Sequence, residues 1–174
     1  DRDMSASYPV AFNLSPNETV KDARLYVYTT WSYDVDQLTG KPSSLEVALD
    51  GEPLVRDRVY TDRKGNGTYD YPVETHCYAV EGDWDGNQTL EFTVTNTGQK
   101  PDKFAVYGVL LVMAREDPGG RETEYWIGEG ADEVYANPEF SVDSENAITR
   151  IAFPGTINMT GIAGADLYAV STAA

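Results

Sequence analysis

The chain has 174 residues, and its 29 acidic and 13 basic side chains give a formal net charge of −16. This charge opposes binding to nucleic acid and to anionic membrane surfaces, because both kinds of binding depend on Lys and Arg. A hydrophobic fraction of 41% is too high for a disordered acidic tail, and the longest apolar run, Phe104 to Ala114, is too short to span a bilayer as a helix. The length predicts a single domain, residues 1–174. From the charge and the short apolar run, we expect that this domain neither binds nucleic acid nor inserts into a membrane.

Apolar and polar residues alternate with a period of two between turn signals, which predicts short β-strands along the whole chain. The predicted strands are, in chain order, Tyr8 to Leu14, Ala23 to Ser32, Leu45 to Leu49, Leu54 to Tyr60, Cys77 to Val80, Thr89 to Thr95, Lys103 to Arg115, Glu122 to Ile127, Ala147 to Phe153 and Asp166 to Ser171. Helix is limited to one predicted turn over Ala131 to Ala136. About ten short strands at this spacing predict an all-β fold, an antiparallel β-sandwich of jelly-roll type.

Two of these segments carry a more specific signal. Asp50-Gly51 lies between two strands and is a strong two-residue hairpin signal. The segment from Phe104 to Met113 is almost continuously apolar, so we expect it to form a central strand that is covered on both faces and belongs to the core.

The two ends of the chain resemble each other. Ala11-Phe12-Asn13-Leu14-Ser15 leads to Ala23-Arg24-Leu25-Tyr26-Val27, and Ala152-Phe153-Pro154-Gly155-Thr156 leads to Ala165-Asp166-Leu167-Tyr168-Ala169. We interpret the second segment as a copy of the two opening strands, and repeated units need neighbours to bury their apolar faces. Two arrangements remain open: terminal strands, 1–14 and 150–174, used in contacts between subunits, or both ends packed within one sandwich.

Five of the eight Asn residues begin an N-x-[ST] sequon, whereas the Ser and Thr content predicts about one by chance. The sequons start at Asn13, Asn17, Asn66, Asn87 and Asn158. This excess predicts covalent N-glycans on a secreted protein, although Asn and Thr also co-occur in turns. Asp1 follows no apolar signal region, so we expect an extracellular, cell-surface protein from which a signal peptide has been removed.

One set of motifs resembles a known family. Ala23-Arg24-Leu25-Tyr26-Val27-Tyr28 is followed by the apolar segment that starts at Phe104, by Glu116-Asp117-Pro118, and by Glu124-Tyr125-Trp126-Ile127 with Glu129-Gly130. In this order the motifs resemble an uncharacterised family of archaeal cell-surface domains that is common in methanogens. The resemblance covers roughly residues 8 to 171 and implies an extracellular β-rich domain of an archaeal envelope, with no known activity.

Candidate catalytic residues are scarce, and none is predicted. The single histidine, His76, is next to the single cysteine, Cys77, and adjacent side chains of a strand point to opposite faces. We therefore expect a buried Cys77 and a surface His76 rather than a Cys-His pair. Glu122 and Glu124 share a strand face without an Arg or His beside them, which favours a solvated edge over a pair of catalytic carboxylates.

Calcium is the only metal that the sequence favours. Asp83, Asp85 and Asn87 place three oxygen-bearing side chains on one tight turn, which suits a hard cation. The spacing does not match an EF-hand loop, because Gly86 comes too early and no bidentate Glu follows. A structural calcium ion and a solvated acidic turn both remain open, and no other cofactor is predicted.

Several aromatic residues lie near predicted loops. They are Trp31, Tyr33, Tyr60, Tyr69 and Tyr71. Such rings could stack on sugars or could lie at a protein interface, where Tyr and Trp are enriched. They could also simply cover the end of the core.

Together these features predict a non-enzymatic, extracellular structural glycoprotein that assembles with copies of itself into a surface layer, sheath or filament through strand exchange. The alternative is a carbohydrate-binding or adhesive β-sandwich module, which the aromatic residues favour. The native size separates the two, because the structural role requires polymers and a binding module is expected to be a monomer.

Overall fold

A computed structural model describes residues 5–35, 39–63, 70–99, 102–134, 139, 143–145 and 147–171. These residues form nine strands: β1 Ser5–Asn13, β2 Thr19–Asp34, β3 Thr39–Gly40, β4 Leu45–Leu49, β5 Glu52–Pro53, β6 Arg56–Asp62, β7 Val73–Ala79, β8 Asn87–Asn96 and β9 Lys103–Glu116. Within those ranges, no helix has the length and apolar character needed to cross a membrane.

The strands form two antiparallel sheets that face each other across one hydrophobic core. The first sheet has the order β1-β8-β4-β5. In the second sheet β2 lies between β9 and β7, β6 follows β7, and β3 pairs with the end of β2. The prediction of an all-β antiparallel sandwich is therefore confirmed, with nine strands in the described part of the chain where about ten were expected.

The core forms where alternate residues of the two sheets meet. Leu25 and Val27 point inward from β2, and Phe92 points inward from β8; all three side chains are 0% exposed. Their spacing of two residues follows from the pleat of a strand, which sends successive side chains to opposite faces. Leu45, Val47, Tyr78, Val80, Leu90 and Val94 complete the buried cluster, together with Ala23.

The predicted hairpin at Asp50-Gly51 is confirmed. Leu49 pairs with Glu52 across the turn, so the loop has two residues. Asp50 and Gly51 have φ values of 48° and 90°, and positive φ at both central positions is what a tight hairpin matching the strand twist requires. The Asp50 carboxylate also accepts a hydrogen bond from the N–H of Glu91 at 3.0 Å, which fastens the turn to β8.

The position of β9 differs from the prediction of a central strand. It pairs with β2 along its length, and within the described ranges no other strand pairs with it. Phe104, Val106 and Leu111 contact the core from this edge, but every residue from Lys103 to Ala114 is only half-buried. Apolar composition shows that a strand has covered faces; it does not show that both of its edges are hydrogen-bonded.

The last third of the chain also differs from the prediction. The expected strands Glu122 to Ile127, Ala147 to Phe153 and Asp166 to Ser171 are wrong, because none of the described residues after β9 is in a strand. Ala131 to Val134 is not helical, and the remainder of that predicted turn lies outside the described residues. A short apolar stretch becomes a stable strand only beside a partner, and among the described residues no strand pairs with these three segments.

Candidate functional site

The most unusual surface is the C-terminal segment, which we define as residues 147–171. Every residue from Ile148 to Ser171 is exposed. Its large apolar side chains are between 43% and 89% exposed: Ile148, Ile151, Phe153, Ile157, Met159, Ile162, Leu167, Tyr168 and Val170. Large apolar side chains are usually buried, so nine exposed ones along a single segment mark a candidate site of interaction.

The repeat seen in the sequence has opposite environments in its two copies. In the first copy, Leu25 and Val27 are 0% exposed between the sheets. In the second copy, which we call the terminal repeat (152–169), Leu167 is 80% exposed and Tyr168 is 89% exposed. The terminal repeat therefore has the side-chain pattern of core strands but lacks the neighbours that β2 finds in β7 and β9.

The charge of the C-terminal segment sets it apart from the rest of the protein. It contains one basic residue, Arg150, and one acidic residue, Asp166, whereas the whole chain has a net charge of −16. A second copy of the chain can therefore approach this segment without the repulsion that two strongly acidic surfaces experience.

The loop after β9 is fastened to the outer face of the second sheet through Glu129. Arg24 donates hydrogen bonds from Nε and from a terminal nitrogen to Oε1 of Glu129, at 3.1 and 2.7 Å. The hydroxyl groups of Tyr26 and Tyr60 donate to the same carboxylate at 2.9 and 3.3 Å. Burial raises the pKa of Glu129, but these donors outweigh it and leave the pKa below its usual range.

The only histidine is buried, so the prediction of a surface His76 is wrong. His76 is 1% exposed because it pairs with Val27 and shares its inward direction. Cys77, beside Tyr26, is 0% exposed, which confirms its predicted burial. Desolvation raises the pKa of the Cys77 thiol to about 11, so little of the reactive thiolate is present at neutral pH.

His76 belongs to a buried chain of hydrogen bonds. A terminal nitrogen of Arg56 lies 3.2 Å from Nδ1, and the hydroxyl of Ser43 lies 3.0 Å from Nε2. The Ser43 hydroxyl and its backbone N–H both donate to the carboxylate of Glu74, the latter at 2.7 Å. Thr29, 2% exposed, closes the group with a contact of 3.0 Å to the Ser43 hydroxyl.

The proton direction in this chain is the reverse of a catalytic triad. Arginine can only donate, so Nδ1 of His76 accepts and Nε2 carries the proton. A nucleophilic serine requires an Nε2 that accepts its proton. In this arrangement Nε2 donates towards Ser43, and Ser43 donates to Glu74, so the group acts as a buried structural network.

The structure places four of the five predicted sequons. Asn13, Asn17, Asn87 and Asn158 are exposed, and Asn66 lies outside the described residues. Asn13 and Asn87 face each other as register partners at the end of the β1–β8 pair, and Asn17 lies in the turn that follows β1. Three acceptors are thus grouped at one end of the sandwich.

The acidic turn, for which a calcium site and simple solvation were both left open, gains no geometric support as a metal site. Asp83, Asp85 and Asn87 are exposed, and Asp85 accepts a hydrogen bond from Gln88 at 2.8 Å. In the described ranges, no group of three or more His, Cys, Asp or Glu side chains is arranged to hold a metal ion. The calcium site stays a prediction from the sequence.

Three of the predicted aromatic residues form a cluster at the end of β2. The ring of Tyr71 lies 5.4 Å from Trp31 and 5.2 Å from Tyr33, centroid to centroid. Trp31 is 41% exposed and has a φ of 53°, a left-handed conformation that is rare for a bulky residue. Its Nε1 donates to the hydroxyl of Tyr107 at 3.0 Å. The other two predicted aromatics are not in this cluster: Tyr60 contacts Glu129, and Tyr69 lies outside the described residues.

A model of the family described as "Protein of unknown function (DUF3344)" matches residues 2–174. The chain belongs to this family. The prediction of an uncharacterised family is confirmed at that level, and the family description names no activity. Searches of curated proteins and of solved structures gave no match.

Two features of this DUF3344 chain could not be found by reading the sequence. Glu129 belongs to the Glu129-Gly130 motif, which gives it no role by itself. Only the fold brings it to Arg24, 105 residues away. Ser43 is 31 residues from Glu74, and no spacing rule connects them. The terminal repeat, in contrast, is visible in the sequence, and the structure adds that its large apolar residues are exposed.

Proposed function

We propose that this chain is a non-enzymatic structural glycoprotein of an archaeal cell envelope, and that it assembles with copies of itself into an extracellular layer, sheath or filament. The observation that carries the proposal is the terminal repeat, which has the pattern of two core strands but exposes its large apolar side chains. Leu167 is 80% exposed, whereas Leu25, its counterpart in the first copy, is 0% exposed. A neighbouring subunit supplies the missing partner.

The size of this apolar surface suits assembly. Burying one large aliphatic or aromatic side chain stabilises by about 1.5–3 kcal/mol. The nine apolar side chains of the C-terminal segment are already partly covered, so burying all of them is worth roughly 10 kcal/mol. This is an upper limit, because a donated strand buries only part of the segment. Association costs about 4–15 kcal/mol in lost freedom of movement. Side-chain burial is therefore of the same size as this cost, and a stable contact also needs the main-chain hydrogen bonds of an added strand.

The geometry of such a contact favours a polymer. The segment that is donated and the surface that accepts it are different parts of the chain. A contact between unlike surfaces is heterologous, and it forms an open filament unless its rotation closes a ring. Each added subunit then presents a fresh donor segment and a fresh acceptor surface.

The native size tests the proposal. We expect the natural protein to form polymers by light scattering and electron microscopy, and deletion of Asp166 to Ala174 to leave a folded monomer. Leu167→Asp should have the same effect, because a buried charge opposes docking. The matched control is Val55→Asp, since Val55 is 85% exposed in the loop before β6 and should leave the polymers intact. Native protein that stays monomeric at high concentration, with calcium present, contradicts the proposal.

Glycans are expected on at least two sequons. Because cross-strand partners lie about 5 Å apart, we expect that Asn13 and Asn87 are not both occupied in the same molecule. Mass spectrometry of the intact native protein and of its glycopeptides measures this occupancy. A native mass equal to that of the bare chain contradicts the proposed glycoprotein.

The Trp31 cluster favours carbohydrate binding as a second candidate function. Backbone strain at an exposed aromatic residue persists only where the surroundings enforce it, and such strain is concentrated at functional sites. Trp31 combines a φ of 53° with 41% exposure. A native monomer whose tryptophan fluorescence changes on adding oligosaccharides would favour this function over assembly.

A further inference from the structure

We infer that the free edge of β9 accepts residues 165–171 of a second copy of this chain as an added strand. This inference rests on the proposed function and specifies its contact. β2 occupies one edge of β9, and no strand in the described ranges occupies the other. The added strand therefore extends the second sheet from one subunit into the next.

The composition of β9 is that of a strand with two neighbours. From Phe104 to Ala114 it contains no charged residue. Proteins protect edge strands with charges, prolines or short lengths, because an exposed edge offers unpaired N–H and C=O groups to other chains. β9 spans 14 residues and lacks this protection over its apolar part. An added strand makes β9 central, which is the position that its sequence favours.

The sequence of the donated strand fits this position. β2 pairs with β9 so that Leu25 lies opposite Leu111 and Val27 lies opposite Val109. The terminal repeat has Leu167 and Ala169 where the first copy has Leu25 and Val27. On the free edge, the same alternation turns Leu167 and Ala169 towards the core and Tyr168 outward, as Tyr26 is in β2. In the assembly, β9 then lies between β2 of its own chain and the donated strand of the next chain, and these two strands have the same alternation of side chains.

The donated strand carries little charge. The only acidic residue of the donated strand is Asp166. In the register that copies β2, Asp166 takes the place of Arg24, which pairs with Val112. Arg115, three residues further along β9, already pairs with Glu18 at 3.5 Å. The donated strand thus brings a single negative charge, which keeps its repulsion by a strongly acidic protein small.

The same register gives a cross-linking test. Tyr28 pairs with Gly108, so Val170, its counterpart in the repeat, should lie opposite Gly108 of the accepting chain. A side chain at Gly108 meets no atom within 4 Å, and paired positions place Cβ atoms close to the distance of a disulfide. Two variants, Gly108→Cys and Val170→Cys, are each made with Cys77→Ala so that every chain has one thiol.

The two single-cysteine proteins are mixed under mild oxidation. We expect a disulfide-linked heterodimer at a yield at least about tenfold above that of a control mixture of Gly108→Cys with Val55→Cys, because docking gives the two thiols a high effective concentration. A protein that carries both Gly108→Cys and Val170→Cys should form a ladder of linked chains.

Three other results would overturn the inference. In the first, the test and control mixtures cross-link equally while light scattering still detects polymers. Assembly then uses another surface, and the proposed function survives. A double variant that closes a disulfide within one chain means that the edge of β9 takes its own C-terminal segment. Monomers without cross-links contradict both the inference and the proposed function.

Discussion

Phe92→Ala should lower the free energy of unfolding by about 3–5 kcal/mol, the usual loss when a buried aromatic side chain is truncated in a core. Phe92 is 0% exposed, and its strand pairs it with Tyr8 on one side and Leu49 on the other. Strands on both sides limit the collapse of the cavity that the truncation leaves. Urea denaturation of the two proteins measures the difference.

A comparison within the same core sharpens this test. Leu111→Ala should be less damaging than Phe92→Ala, because Leu111 contacts the core from the edge strand β9 and is only half-buried. Phe92→Leu, which keeps most of the volume, should be milder than Phe92→Ala. A loss below about 1 kcal/mol for Phe92→Ala would show that the core is not between the two sheets.

Glu74→Ala should lower the free energy of unfolding by about 2–5 kcal/mol, because it removes the carboxylate that accepts from both the N–H and the hydroxyl of Ser43 inside the protein. Both donors, the hydroxyl and the N–H, end on the same carboxylate oxygen of Glu74, and the side chain of Glu74 is 3% exposed. Glu74→Gln keeps an acceptor and should be less damaging. Glu124→Ala, at an exposed position, is the matched control and should change little.

The stability contributed by Glu74 should also depend on pH. Burial raises the pKa of Glu74, but the nearby His76 ring, whose Nε2 lies 3.8 Å from the carboxylate, and the two hydrogen bonds from Ser43 outweigh it and leave the pKa below its usual range. Because the pKa is lowered in the folded state, ionised Glu74 stabilises the fold at pH values above the ordinary carboxyl pKa of about 4.3. This contribution is lost as the pH falls through the folded-state pKa. The difference in the free energy of unfolding between the natural protein and Glu74→Ala should therefore become smaller at acidic pH. An unchanged difference down to the acid transition would contradict this.

Local patterns predicted the strands of the first two thirds of the chain well. The alternation of β2 and the Asp50-Gly51 turn are properties of neighbouring residues, and both are present in the structure. These signals are local because the pleat and the twist of a strand are local. The fold class followed from the number and spacing of such segments.

Long-range pairing explains the errors. The composition of Phe104 to Ala114 predicted a central strand, but whether an edge is occupied depends on residues elsewhere in the chain or in another chain. The burial of His76 depends on its pairing with Val27, 49 positions away in the sequence. The three C-terminal segments do have the composition of strands. A segment of this composition forms a stable strand only when it pairs with the edge of another strand.

The grouping of Asn13, Asn17 and Asn87 at one end of the sandwich has a consequence for any ordered array of these subunits. In a layer of the proposed kind, in which every subunit faces the same way, glycans on these asparagines would recur on one side with the spacing of the lattice. That side would carry a hydrated carbohydrate coat that holds proteases and other cells at a distance, so the layer would have two chemically different faces.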